Sequence, residues 1–312
     1  MNVMITGVNG FIGKNLCNYL TNKEINVFGI DNFYSSKRSD LKKINSKHLY
    51  FLEASILDKN ILKKAPFKID SVIHLAAQTS VMKSIKKPKE NDQINVDGFK
   101  NIINQSFNQK IKKFIFCSSC AVYGDSSKLP CKENVKILKP KSPYAKSKLL
   151  NEQFALGKRF DEMSVVGLRL FNIYGPFQDF NSEYSAVISK WIYQIQNNYS
   201  CKIFGDGTAL RDFCYVGDLC EFFYKLVNLH SVSGIFNFCT QKPITIIDLY
   251  KTLFESINNK KKKYIYTEPE YEKERKGEIQ KSYGDYANIK KTFNYIPKTS
   301  IQDGIRKILG EI

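Results

Sequence analysis

The chain has 312 residues, 43% hydrophobic and 25% charged, a balance that excludes a largely disordered protein and a length that builds a substantial core without disulfide staples. Lysine and arginine total 48 against 30 acidic residues, a net charge of +18. Only Arg38, Arg159, Arg169, Arg211, Arg275 and Arg306 are arginines, and scattered lysine is the weaker residue for bidentate phosphate or base readout, so no nucleic-acid partner is expected.

No stretch reaches membrane-spanning length, and MNVMITG lacks the basic start of a signal peptide; no membrane partner and a cytoplasmic protein are the expectation. The eight cysteines are scattered, which suits reduced thiols. Cys117 and Cys120 form a CxxC, but a structural zinc needs four ligands and no second pair or paired-histidine motif exists, so no metal is expected.

From the N-terminus, an apolar run Val3–Ile5, a glycine-rich turn, a helix-length segment Phe11–Leu20 and a second run Val27–Ile30 closing on Asp31 read as one βαβ unit. Further short runs follow at Leu49–Leu52, Ser71–Leu75, Phe114–Cys117 and Val165–Leu170, with helical segments Asp97–Phe107 and Tyr144–Phe160. Strands alternating with helices predict a doubly wound, Rossmann-like α/β parallel sheet covered on both faces. Beyond Asn172 the alternation becomes irregular. The expected division is therefore a sheet domain over 1–171, to which part of 214–241 returns, and a smaller substrate-binding lobe over 172–312 at the C-terminal edge of the sheet.

Gly7, Gly10 and Gly13 in GVNGFIG follow the first strand and open the first helix. Gly7 and Gly10 let the chain turn tightly and approach a pyrophosphate over the helix N-terminus, and Gly13 permits close helix–sheet packing. Asp31 at the next strand end is placed to receive ribose hydroxyls and to repel a 2′-phosphate, which favours NAD over NADP. Tyr144 and Lys148 are four apart and share a helix face. An adjacent ammonium and a cationic nicotinamide favour the phenolate, so Tyr144 is a candidate base near neutral pH and Lys148 a candidate holder of the nicotinamide ribose.

With GVNGFIG, Asp31-Asn32-Phe33, HLAAQTSV, FIFCSSCAVYG, SPYAKSK, LRLFNIYGP, GDGTALRDFCYV and ERKGEIQKS in order, the chain resembles the extended short-chain dehydrogenase/reductases of the nucleotide-sugar epimerase/dehydratase family. The resemblance implies NAD bound by Gly7, Gly10, Phe11, Ile12, Gly13, Asp31, Asn32, Asp58, Ala76, Ala77, Asn95, Tyr144 and Lys148, with Asp58 at the adenine. It implies Ser119 beside Tyr144 at the sugar hydroxyl. Asn172, Arg211 and Arg275 match residues that grip a nucleotide diphosphate, and Glu278 a contact to the nucleoside. Family members often dimerise through two helices, here those expected at Asp97–Phe107 and Tyr144–Phe160.

Dehydratases of the family carry Asp-Glu directly after the catalytic Ser/Thr, and UDP-glucuronate decarboxylases keep a glutamate at the second position. Cys120 and Ala121 stand here instead, leaving reversible oxidation at C4, the epimerase reaction. Ser282 falls where hexose-restricted epimerases carry tyrosine; a small side chain leaves volume for an acetamido group. GPFQDFNSEYSAVI, with Gln178 and Val187 as sugar contacts, resembles a stretch of bacterial UDP-N-acetylglucosamine 4-epimerases, although Phe177 and Phe180 replace a common arginine and proline. UDP-GlcNAc/UDP-GalNAc is thus the preferred substrate pair. UDP-glucose/UDP-galactose and UDP-glucuronate stay open as alternatives.

Overall fold

The short apolar runs are strands and the longer mixed segments helices. The computed structural model describes residues 1–44, 46–125, 128–135, 138–157, 160, 162–180, 187–229, 231–258, 264, 266–274 and 279–310. The first half comprises β1 (Asn2–Thr6), α1 (Phe11–Thr21), β2 (Asn26–Asp31), β3 (Leu49–Glu53), β4 (Ser71–His74), α2 (Val81–Lys86), α3 (Pro88–Asp92), α4 (Gly98–Asn108), β5 (Lys113–Ser119) and α5 (Pro143–Ala155). Next come β6 (Ser164–Leu170), β7 (Asn172–Tyr174), α6 (Val187–Gln196), β8 (Lys202–Phe204), β9 (Leu210–Arg211), β10 (Phe213–Tyr215) and α7 (Val216–Asn228). The chain ends with β11 (Gly234–Phe238), β12 (Ile244–Thr245), α8 (Ile246–Asn258), β13 (Glu270–Glu272), β14 (Lys281–Ser282), α9 (Ala287–Phe293) and α10 (Ile301–Ile308).

Among the described residues the main sheet has seven strands in the order β11-β6-β5-β4-β1-β2-β3. β1 runs parallel to β2 and β4, β2 to β3, and β4 to β5. Val3, Met4, Ile5, Val72 and Ile73 are wholly buried, as expected of parallel strands covered on both faces. The register sets Thr6 opposite Ile30 and His74, and His74 opposite Phe116. The loops after β1, β2, β4 and β5 therefore open at one edge, around the reversal in strand order where doubly wound sheets bind ligands. This is the Rossmann-like fold.

The chain divides into two compact units, Met1–Val122 with Leu138–Arg169 and Cys220–Phe236, and Tyr123–Ile137 with Leu170–Leu219 and Asn237–Ile312. The second unit thus takes a segment that the expected boundary left with the sheet. The physical reason is hydrogen bonding: Cys131 donates its amide to Tyr283 O and accepts from Asp285 N, and Glu133 accepts from the Asn237 amide at 2.8 Å. The first unit's core gathers Met4, Phe28, Ile30, Phe99, Phe114 and Phe116. The second's gathers Tyr174, Ile188, Trp191, Ile203, Leu249 and Leu253, with its other strands in pieces of two or three residues.

α5 stops at Ala155, short of the expected Phe160. Its cap is Leu156, and the Gly157 amide turns back to Phe154 O at 3.2 Å, a tight turn that carries the chain out of the helix. A π-helical turn, Gln93–Asp97, leads into α4. No helix among the described residues is long and apolar enough to cross a membrane.

Candidate active site

The glycine turn is fixed by backbone geometry. Gly7 has φ +72°, a conformation that favours glycine, and donates to Ile30 O at 2.7 Å. A Cβ on Gly7 would stand 2.8 Å from the Ala76 backbone, and one on Gly13 only 2.1 Å from Gly7 O. Bare backbone is what lets the first turn of α1 close against the loop. No side chain caps α1 at Gly10, so the first-turn amides, where Phe11 and Ile12 lie, face an anion-binding position.

Across this turn, the Ala76 amide donates to Thr6 Oγ1 at 3.2 Å, and that hydroxyl lies 2.9 Å from His74 Nδ1. Burial pushes His74 down to about 3, aided by the charge of Lys148, so the imidazole is neutral. Ala77 follows Ala76 in the same loop. Asn95 pins the next residue, accepting from the Gln78 amide at 2.8 Å and donating to Gln78 O at 2.9 Å.

Asp31 accepts from the Asn9 amide at 3.0 Å and the Phe33 amide at 2.8 Å, and from Ser36 Oγ at 3.4 Å. Burial nevertheless pushes its pKa up against those donors. The Asn9 side chain donates to Ser36 Oγ and Lys37 O at 3.0 and 2.9 Å, while its Oδ1 is buried without a partner. An orphaned acceptor tied through its own backbone to a carboxylate suits a ligand bringing hydroxyl donors. Asn32 is exposed and accepts from the Tyr34 amide. Asp58 accepts from the Asn60 amide at 2.9 Å and is ion-paired with Lys64 at 2.5 Å, which holds its carboxyl below the usual range.

β5 carries Ser119 at its end, and α5 begins at the Ser142 cap, whose hydroxyl accepts from the Ala145 amide at 3.1 Å. Tyr144 sits in that first turn, where Ser119 acts on its hydroxyl to favour the phenolate. Lys148, one turn on, has Nζ 5.7 Å from the Tyr144 ring centroid and donates to Cys117 O at 2.9 Å. Burial pushes Tyr144 up to about 12, with Ser119 opposing and the Cys120 and Cys117 thiols adding to the rise. Burial also lowers Lys148. Burial is thus the largest influence on the phenol in the protein alone and works against the phenolate that an adjacent ammonium and a cationic nicotinamide are expected to favour. None of the eight cysteines is disulfide-bonded, and burial lifts the Cys117 thiol to about 12. Among the described residues no three His, Cys, Asp or Glu side chains could hold a metal.

In the second unit, Arg211 on β9 pairs in register with Ser282 on β14 and with Ile244 on β12. Its guanidinium donates to Leu210 O at 2.9 Å. Asn172 donates its side-chain amide to Asp212 O at 2.9 Å. The neighbouring Asp212 carboxylate, wholly buried, accepts from Thr240 N and Oγ1 at 2.9 and 2.5 Å and from Gln241 N at 2.9 Å. It thereby ties strand ends remote in sequence. Gln178 accepts from Ser189 Oγ at 2.9 Å, and Val187 opens α6. Arg275 and Glu278 lie outside the described residues.

The sequence signature of the NAD dependent epimerase/dehydratase family spans residues 3–239. The chain belongs to that family. It is similar to the structure of UDP-N-acetylglucosamine 4-epimerase from Methanobrevibacter ruminantium M1 in complex with UDP-N-acetylmuramic acid, at 33% identity and TM-score 0.90 over 99% of this chain and 97% of that one. It is also similar to UDP-glucose 4-epimerase of Thermotoga maritima with UDP-glucose, at 30% identity and TM-score 0.89 over 100% and 98% of the two chains. A UDP-glucose 4-epimerase of Pasteurella multocida is 30% identical over 95% of this chain and 92% of its own.

NAD is the cofactor of this epimerase/dehydratase family, and the residues present fit it: glycines where a Cβ would collide, an uncapped helix start, and the Asn9 oxygen beside Asp31. Sequence reasoning passed over Asn9 and Gln78. The signal for Asn9 was a polar residue inside GVNGFIG; Gln78 had none beyond its place in HLAAQTSV.

Proposed function

We propose that the protein interconverts the C4 epimers of a UDP-sugar, with UDP-GlcNAc and UDP-GalNAc as the pair, by way of a 4-keto sugar. The observation that carries this reading is Tyr144 in the first turn of α5, with Ser119 at the end of β5 favouring its phenolate and Lys148 one helical turn away, Nζ 5.7 Å from the ring centroid. Cys120 and Ala121 in place of an acidic pair leave no acid and base for elimination.

NAD, when bound, supplies the reversible hydride acceptance that oxidation at C4 requires. Tyr144 takes the C4 hydroxyl proton and returns it, Ser119 holds that oxygen, and Lys148 holds the nicotinamide ribose. The turn at Gly7, Gly10 and Gly13, with the amides of Phe11 and Ile12, receives the pyrophosphate; Asp31 and Asn32 face the adenosine ribose. Asp58 reads the adenine, and Ala76, Ala77 and Asn95 line the site. Asn172, Arg211 and Arg275 hold the sugar diphosphate while the keto sugar presents its other face, since guanidinium forks stay charged and engage phosphate oxygens in pairs. Glu278 contacts the nucleoside, Gln178 and Val187 the sugar.

The N-acetyl preference rests on Ser282, a small side chain in register with Arg211, and is supported by likeness to the Methanobrevibacter enzyme. The proposal includes a homodimer joined through α4 and α5, where Leu150 is 48% exposed. Purified protein incubated with UDP-GlcNAc is expected to yield UDP-GalNAc. Faster turnover of UDP-glucose or UDP-glucuronate would reassign the sugar, and no turnover of any of the three would overturn the reaction.

A further inference from the structure

We infer that Glu152, ion-paired with Arg169, is a positioning residue that ties the end of β5 to α5 and sets a fixed negative charge against Lys148. The inference rests on the proposed roles of Ser119, Tyr144 and Lys148. Tyr144, Lys148 and Glu152 succeed one another at four-residue spacing, so they share one face of α5. Each acts on one of the last three residues of β5: Lys148 Nζ donates to Cys117 O at 2.9 Å, Glu152 Oε1 accepts from Ser118 Oγ, and the Tyr144 hydroxyl feels Ser119, which favours its phenolate. Ser118 and Ser119 are consecutive, so the carboxylate that fixes one hydroxyl fixes the backbone carrying the other.

Arg169, on the adjoining strand β6, closes the arrangement bidentately, with Nε 3.0 Å from Oε1 and its terminal nitrogen 2.7 Å from Oε2. The two side chains are only 5% and 4% exposed. A buried pair of this kind is weak evidence for stability, because apolar replacements of equal volume are often neutral or better. Its place beside the reacting groups gives it a different use. Lys148 is faced by His74, by the Cys117 thiol, by Tyr144 and by Glu152. Burial keeps the first three un-ionised in the cofactor-free protein, which leaves Glu152 as the negative charge opposing the loss of the Lys148 proton.

The test is the pH profile of kcat for the NAD-loaded protein, its Glu152→Gln and Arg169→Gln variants, and a Tyr144→Phe control, with thermal unfolding run alongside. Glu152→Gln removes the negative charge and leaves Arg169 unbalanced, so the alkaline limb is expected to move to lower pH by about one unit. Optimal kcat falls about tenfold, within the scale of a misplaced acid–base group, while KM stays within about twofold because no substrate contact is lost. Arg169→Gln leaves the carboxylate unbalanced, and the limb is expected to move the opposite way. Glu152→Asp, which keeps the charge, is expected to return the limb to its parental place. A folded Gln variant whose limb superposes on the parent's overturns the inference, as do shifts of both variants in the same direction. Should neither Gln variant fold, Ser118→Ala removes one bond and leaves both charges: a lowered kcat with an unmoved limb is expected, and an unchanged kcat overturns the inference. A parent that turns over no UDP-sugar, or an active Tyr144→Phe, overturns the underlying reading as well; an active parent and inactive Tyr144→Phe with superposed limbs overturn this inference alone.

Discussion

In the sheet-containing unit, Gly7, Asp31, Ala76 and Ser119 lie at or just beyond the ends of β1, β2, β4 and β5, and parallel pairing alone brings them to one edge. In the other unit, Arg211 and Ser282 meet only because two-residue strands remote in sequence pair with each other, beside a carboxylate that gathers Thr240 and Gln241. The first arrangement makes position a product of topology. The second makes it a product of a few specific hydrogen bonds. Damage to the first should therefore appear in chemistry and cofactor retention, and damage to the second in substrate choice.

The largest expected effect is that of Tyr144→Phe, which should lower kcat by about 10²–10⁴, the range of a lost acid–base group, in steady-state assays of NAD-loaded protein. Gly13→Ala sets a methyl group 2.1 Å from Gly7 O, and main chain cannot step aside as a flexible side chain can. A loss of about 1–3 kcal/mol in denaturant unfolding is expected, with purified protein that carries little NAD; full occupancy would show that the turn tolerates opening. Ser282→Tyr should cut UDP-GlcNAc turnover about 10–200-fold relative to UDP-glucose, the reach of a pocket contact worth 1–3 kcal/mol, and leave bound NAD untouched. An equal loss on both sugars would dissolve the proposed division of labour.

The most gradual effect is on stability against pH. His74 is held at about 3 in the fold against an ordinary 6.5, so between those values the unfolded chain binds the extra proton. Stability from this group is full above pH 6.5 and falls as pH drops toward 3, by about 1.4 kcal/mol per unit within that window. Urea midpoints at pH 7, 6 and 5 compared with those of His74→Gln, which cannot titrate, would isolate that slope.

The glycine turn, Asp31 and the Tyr144–Lys148 spacing were legible because a strand end and a helix turn impose fixed offsets on the chain. The end of α5 was not, since the break at Gly157 competes with an apolar pattern continuing to Phe160. The upward pull on Tyr144 was not legible for a different reason. Sequence shows the neighbouring lysine but not the depth of burial, which is the largest influence on the phenol in the protein alone. Asp58 was legible as a residue but not as a partner of Lys64, and strands of two residues such as β9 and β14 are too short to show any period.

The sheet's last neighbour arrives late. β6 ends at Leu170 and β11, which pairs beside it, begins only at Gly234. During synthesis at about 5–20 residues per second, the edge of β6 that β11 will cover waits several seconds with its hydrogen-bonding groups open to any passing strand. Val165, Val166 and Leu168 lie along that strand. A chain that lacks β11 thus leaves one edge of β6 as a ready template for pairing with another strand.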